Sequence, residues 1–187
     1  GDSWDLGLGA GFYINASQAP WAEHYQIESF IVDELYELVS HNFLIQAHKV
    51  GIFGHSMGGH GALTFALKYP EKFKSVSAFA PICAPSQCPW GEKAFSQYLG
   101  TEQSDWKKHD ATALIQAKGA VFKEILIDQG LQDQFYAQLN PALFKQMCAQ
   151  VGQSITLREH VGYDHGYYFI QSFIDEHLQF YIVQREH

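Results

Sequence analysis

Apolar residues change their period several times along the chain. Over residues 25–43, Ile27, Phe30, Ile31, Leu35, Leu38 and Val39 recur every three or four positions. That spacing predicts an amphipathic helix with these side chains on one buried face. Residues 48–53 form a short β-rich run and read as a strand. Residues 57–69 are helical in pattern and stop before Pro70, because proline disfavours helical geometry in the residue ahead of it. A second strand is expected over 75–79. A mixed region over 82–120 follows, with short helices around 93–99 and 111–117, and a third strand is expected over 121–127. Asn140-Pro141 reads as an N-cap and first helical residue, and Gly152 as the stop of that helix. A fourth strand is expected over 155–159. A last helix over 167–183 would turn Phe169, Ile170, Phe173, Ile174, Leu178, Tyr181 and Ile182 inward. Residues 1–22, broken by Gly7, Gly9, Gly11 and Pro20, read as loop.

Strands that alternate with helices imply an α/β fold with a parallel sheet covered on both faces, here in one domain over residues 1–187. Ligands of such sheets bind beyond the carboxyl ends of the strands, so the residues after each strand carry the chemistry. After the first comes "GHSMG", a G-x-S-x-G match centred on Ser56. A serine in a tight strand-to-helix turn exposes its Oγ at the top of the sheet. Gly54 and Gly58 are expected to be small because helix and strand approach closely there, and the Met57 N–H would face a developing oxyanion. A serine hydroxyl needs a base and a group that orients the base. After the third strand "LIDQGLQDQF" offers Asp128 and Asp133. Asp133, further out in the loop, is the preferred orienter, while either aspartate could simply cap turn amides. After the fourth strand "EHVGYDHGYYF" places His165 just before the last helix, where a base belongs. His160, nearer the strand, reads as a packing histidine. His55 and His60 have no aspartate at the matching topological position.

Composition narrows the partners. The chain has 187 residues, 47% of them hydrophobic, and a formal net charge of −8. Such a balance favours a globular fold and argues against nucleic acid or an anionic membrane surface as partner. No apolar run reaches membrane-spanning length. Cys83, Cys88 and Cys148 are too few for a disulfide framework, fit a reducing compartment, and lack a second pair at zinc spacing. A cytoplasmic protein with no metal and no cofactor is expected, acting on a small-molecule substrate; a homodimer stays open.

Four segments, "WDLGLGAGFYINA", "GHSMGGHGAL", "ILIDQGLQDQF" and "GYDHGYYFI", together resemble the S-formylglutathione hydrolase family, also called esterase D. The resemblance runs from Trp4 to the last helix. It implies the α/β-hydrolase fold, in three αβα layers, and hydrolysis of the thioester S-formylglutathione to glutathione and formate. It aligns Ser56, Asp133 and His165 with the family's nucleophile, acid and base. Because the formyl group is tiny, a cramped acyl pocket is expected, with Trp90 and Tyr167 as candidate walls or, equally, as core aromatics. The family pattern also has strands and an "SGLTC"-like loop ahead of the stretch matching "GDSWD", which supply a second oxyanion amide. On that pattern this chain corresponds to the C-terminal two-thirds. Two alternatives are a general short-chain carboxylesterase or acyltransferase of the same superfamily, and an inactive fragment or binding module.

Overall fold

A computed structural model describes residues 4–46 and 49–184. Four strands, β1 (Gly51–His55), β2 (Ser75–Phe79), β3 (Ile125–Gly130) and β4 (Ile155–His160), form one sheet in the order β1-β2-β3-β4. All three pairings are parallel. The helices are α1 (Ile27–Ser29), α2 (Tyr36–Asn42), α3 (Met57–Lys68), α4 (Pro89–Tyr98), α5 (Gln103–Trp106), α6 (Ala111–Lys118), α7 (Tyr136–Leu139), α8 (Pro141–Val151) and α9 (Tyr167–Gln184).

Strand alternation explains the layers. Val76 and Ala78 of β2 and Ile125 and Ile127 of β3 point to one face, where they pack with Leu63, Phe65 and Leu67 of α3, Ile115 of α6 and Phe144 of α8. Phe79 points to the other face and packs with Phe169 of α9. The two interior sets are separated by the sheet, so helices cover both faces.

Most boundaries agree with the periodic pattern, and the departures have local causes. The first strand is shifted: its expected start at His48 lies outside the described residues, and β1 runs on to His55 because the turn begins only at Ser56. The third strand starts at Ile125 rather than Val121. The buried amide of Gln153 takes the Val121 and Phe122 N–H groups at 2.8 and 3.0 Å and holds them away from the sheet. Two side chains of the expected inward face of α9, Leu178 and Ile182, are exposed, whereas His177 is buried.

The expected inward face of the first helix is also wrong in part. Phe30, Leu35 and Leu38 are exposed, whereas Glu28 and Val32 are buried. A π-helical turn over Phe30–Leu35 joins α1 to α2. Its longer repeat carries positions spaced for an α-helix off the packed side. Asn140 and Gly152 do bracket α8 as expected: Asn140 Oδ1 accepts the Leu143 N–H, and Gly152 closes the helix at φ 76°.

Candidate active site

Ser56 joins β1 directly to α3 with φ 59° and ψ −119°. This is an unfavourable conformation for a residue with a side chain, costing on the order of 1–3 kcal/mol, and its surroundings must impose it. Three backbone hydrogen bonds do so: Ser56 N–H to Phe79 C=O at 3.0 Å, and His60 and Ile82 N–H to Ser56 C=O at 3.0 and 3.3 Å. Gly54 is required as well, since a Cβ there would run into the backbone carbonyl of Gly58. The expectation for Gly58 is corrected: a Cβ at that position would meet only the Tyr13 ring, at an ordinary 3.5 Å. Met57 opens α3, where the first N–H groups have no partner within the helix and carry its partial positive charge.

Asp133 lies in the turn after β3 and is buried. Its Oδ2 is 2.6 Å from His165 Nδ1 and accepts from Gln129 Nε2 at 3.1 Å, while Oδ1 accepts the Phe135 N–H at 2.8 Å. Burial alone would raise the carboxyl pKa, but the bonds from His165, Phe135 and Gln129 outweigh it and hold the group below its ordinary value. With Nδ1 turned to Asp133, Nε2 is the ring nitrogen of His165 left to receive a proton. Ser56, Met57 and His165 line one cavity of about 380 Å³. Among the described residues no hydrogen bond joins Ser56 Oγ to His165; such contacts are often long before substrate binds.

Asp128, the other candidate, lies inside β3 rather than beyond it. It is fully buried and accepts from Arg158 Nε and Nη2 at 2.6 and 2.5 Å, from His177 Nε2 at 3.0 Å and from His160 Nε2 at 3.1 Å. Burial would raise its pKa, yet the bonds from His177, Arg158 and His160 bring it down to about 2. Its partners tie β3, β4 and α9 together. His160, read as a packing histidine, stacks on Phe173 at 3.8 Å as well as bonding Asp128.

A family model described as "Putative esterase" matches residues 1–180. The chain belongs to the Esterase family. It is 50% identical over 180 residues to S-formylglutathione hydrolase of Rattus norvegicus, covering 95% of this chain and 64% of that protein. The S-formylglutathione hydrolase of Paracoccus denitrificans is 48% identical, covering 96% of this chain and 64% of that one. Among solved structures, an S-formylglutathione hydrolase from Agrobacterium tumefaciens superposes with a TM-score of 0.90 at 48% identity, over 94% of this chain and 64% of the other. The chain thus spans 64% of the length of these relatives. The α/β-hydrolase fold and the resemblance read from the four segments are both borne out.

Much of the remaining wall of the cavity is aromatic, interrupted by the small residues Gly9, Ala10, Gly11 and Gly58. Both wall candidates, Trp90 and Tyr167, line the cavity. Trp90 packs against Phe135 at 4.5 Å and meets the edge of Trp4 at 6.4 Å. Tyr167 is 84% exposed, which excludes the core reading for it. Trp4, Tyr13, His55 and Phe135 also line the cavity and were not picked out from the pattern. Phe135 follows Asp133 by two residues, and Trp4 and Tyr13 both lie in the quoted segment "WDLGLGAGFYINA", so these three carried a signal. The volume of the whole cavity, about 380 Å³, suits a small ligand.

His55 was set aside because no aspartate matched it, yet its ring lies 4.4 Å from that of His165. Burial, followed by the charge of His165, brings its pKa down to about 4, so it faces the cavity as a neutral ring. His60 is fully buried against Phe12 and Phe95, neither ring nitrogen has a hydrogen-bond partner among the described residues, and burial first among the causes brings its pKa down to about 3.

Proposed function

We propose that this protein is a serine hydrolase of small thioesters and esters whose substrate is S-formylglutathione. In this reading Ser56 is the nucleophile, His165 the base and Asp133 its orienter. The observation that carries it is the 2.6 Å contact of His165 Nδ1 with Asp133 Oδ2 beside the cavity that also holds Ser56. The relatives at about half identity bear the name S-formylglutathione hydrolase, which supports the choice of substrate.

The chemistry follows from the placement. His165 Nε2 takes the Ser56 hydroxyl proton as Oγ attacks the formyl carbonyl. The carbonyl oxygen becomes an oxyanion facing the Met57 N–H and the positive end of α3. The C–S bond breaks, and His165 passes its proton to the departing thiolate, which leaves as glutathione thiol. Water then attacks the formyl-enzyme by the same route, releasing formate and restoring Ser56. No Lys, Arg, Asp or Glu lines the cavity among the described residues. Its aromatic walls, Trp90 and Tyr167 included, therefore suit the acyl–sulfur end of the substrate rather than the charged ends of glutathione. Cys83, Cys88 and Cys148 are free and buried, which suits a reducing compartment such as the cytoplasm.

The test compares kcat/KM on S-formylglutathione and on p-nitrophenyl acetate, with Ser56→Ala as the control. The thioester should be strongly preferred and both activities lost in the variant. A higher kcat/KM on the simple ester would make the protein a general carboxylesterase. No fluorophosphonate adduct on Ser56 of folded protein would make it a non-catalytic member of the family.

A further inference from the structure

Gln129 is the penultimate residue of β3 and is completely buried. Its Nε2 donates to Asp133 Oδ2 at 3.1 Å and to its neighbour's carbonyl, Gly130 C=O, at 3.1 Å. The amide orientation is dictated by these partners: reversed, Oε1 would face two acceptors and no donor. Among the described residues Oε1 has no hydrogen-bond partner, and it is buried. An apolar side chain of similar shape would remove that orphaned acceptor at no cost to the packing. What it could not do is hold Asp133.

The geometry around Asp133 shows why holding is needed. The turn that carries it is closed by a 3.4 Å bond from Asp133 N–H to Gly130 C=O. Oδ1 is fixed by the Phe135 N–H. Oδ2, the atom that orients His165, has Gln129 as its other donor. Without that donor the carboxylate can pivot about the Phe135 contact, and Oδ2 leaves the line to His165 Nδ1. Gln129 is locked in turn by its place in the ladder, opposite Glu159 of β4.

We propose that Gln129 is a positioning residue for the proposed hydrolysis: it pins Asp133 Oδ2 and through it the ring of His165. This rests on the hydrolase reading, so parent protein is first titrated with a fluorophosphonate; a failure to react at Ser56 refutes that reading and says nothing of Gln129. Gln129→Met is then compared with the parent on p-nitrophenyl acetate, with kcat expressed per titrated site. Expected are a fall in kcat of about 10–100-fold, KM within about threefold, and a midpoint of thermal unfolding no lower than a few degrees below the parent. The downfield proton resonance of His165 Nδ1–H should also move. Should the Met variant not fold, Gln129→Asn keeps the amide one methylene short of Asp133 and is expected to show the same loss. A kcat per titrated site within twofold of the parent, or a loss matched by the loss of titratable sites, would overturn the proposal.

Discussion

Two glycines of one motif, Gly54 and Gly58, are under different constraints, and their substitution separates packing from propensity. Gly54→Ala drives a methyl into the Gly58 carbonyl and is expected to destabilise by about 1–3 kcal/mol or more. Gly58→Ala places its methyl in ordinary contact with Tyr13 inside α3, and the better helix propensity of alanine should leave stability unchanged or raise it by up to about 1 kcal/mol. Thermal unfolding of the two variants measures both signs. In the proposed triad, Asp133→Asn is expected to lower kcat by about 10⁴-fold with little change in KM, since the amide would favour the wrong tautomer of His165. Steady-state kinetics on either substrate checks it. The placement of Ser56, Asp133 and His165 just after β1, β3 and β4 was legible because strand ends concentrate polar groups and each has a marked loop around it. The roles of Gln129 and His55 were not, because they depend on which neighbour lies across a strand or a turn, and linear spacing does not encode that.

At the scale of elements, β3 separates two tasks on adjacent residues. Asp128 faces α9 and gathers Arg158, His160 and His177, while Gln129 faces the opposite side and reaches the Asp133 turn. His177 passes the connection on to Ser77 at 2.7 Å, and Ser77 meets Tyr181 at 2.6 Å. The Tyr181 hydroxyl then donates to Ile52 C=O at 2.7 Å. This buried chain fastens α9 to all four strands. Asp128→Leu removes the shared acceptor of Arg158, His160 and His177 and is expected to cost about 3–5 kcal/mol, read from urea unfolding. The periodic pattern located α9 but took its buried face to be apolar throughout. A histidine that satisfies both nitrogens inside the core, as His177 does, looks like a polar position in a hydropathy pattern. Conversely, the π-turn ahead of α2 shows that a regular spacing of apolar residues is only as good as the assumption of a uniform helix.

For the molecule as a whole, acid is the expected route to unfolding, in two stages. His55 and His60 have folded pKa values of about 4 and about 3 against an ordinary 6.5. The unfolded chain therefore binds more protons than the folded one below 6.5. Their contribution to stability is complete above that pH and shrinks as pH falls toward the folded values. Asp128 and Glu28, each at about 2 in the folded state against ordinary values of 3.8 and 4.5, add a second loss over roughly pH 4.5 to 2. For both carboxyls burial acts upward, but hydrogen-bonded partners, His177 and Arg158 for Asp128 and His109 and Lys68 for Glu28, prevail. Unfolding free energies measured from pH 8 to 2 should thus fall in two steps, and His60→Leu should flatten the first. A steady stability through pH 5 would contradict the assignment to buried histidines.

The strand order also sets mechanical tolerances. Asp133 and His165 hang from loops after neighbouring strands, so a single interstrand step of about 4.8 Å separates their anchors. Ser56 hangs from β1, three steps from β4, roughly 14 Å across an untwisted sheet. Small errors in strand spacing or twist therefore accumulate between Ser56 and His165 but hardly at all between His165 and Asp133. The 4.4 Å ring contact of His55 with His165 links the two ends of that span directly, one on β1 beside Ser56 and the other in the loop after β4. It gauges the long span directly, so the alignment of Ser56 with His165 need not inherit the summed slack of the sheet.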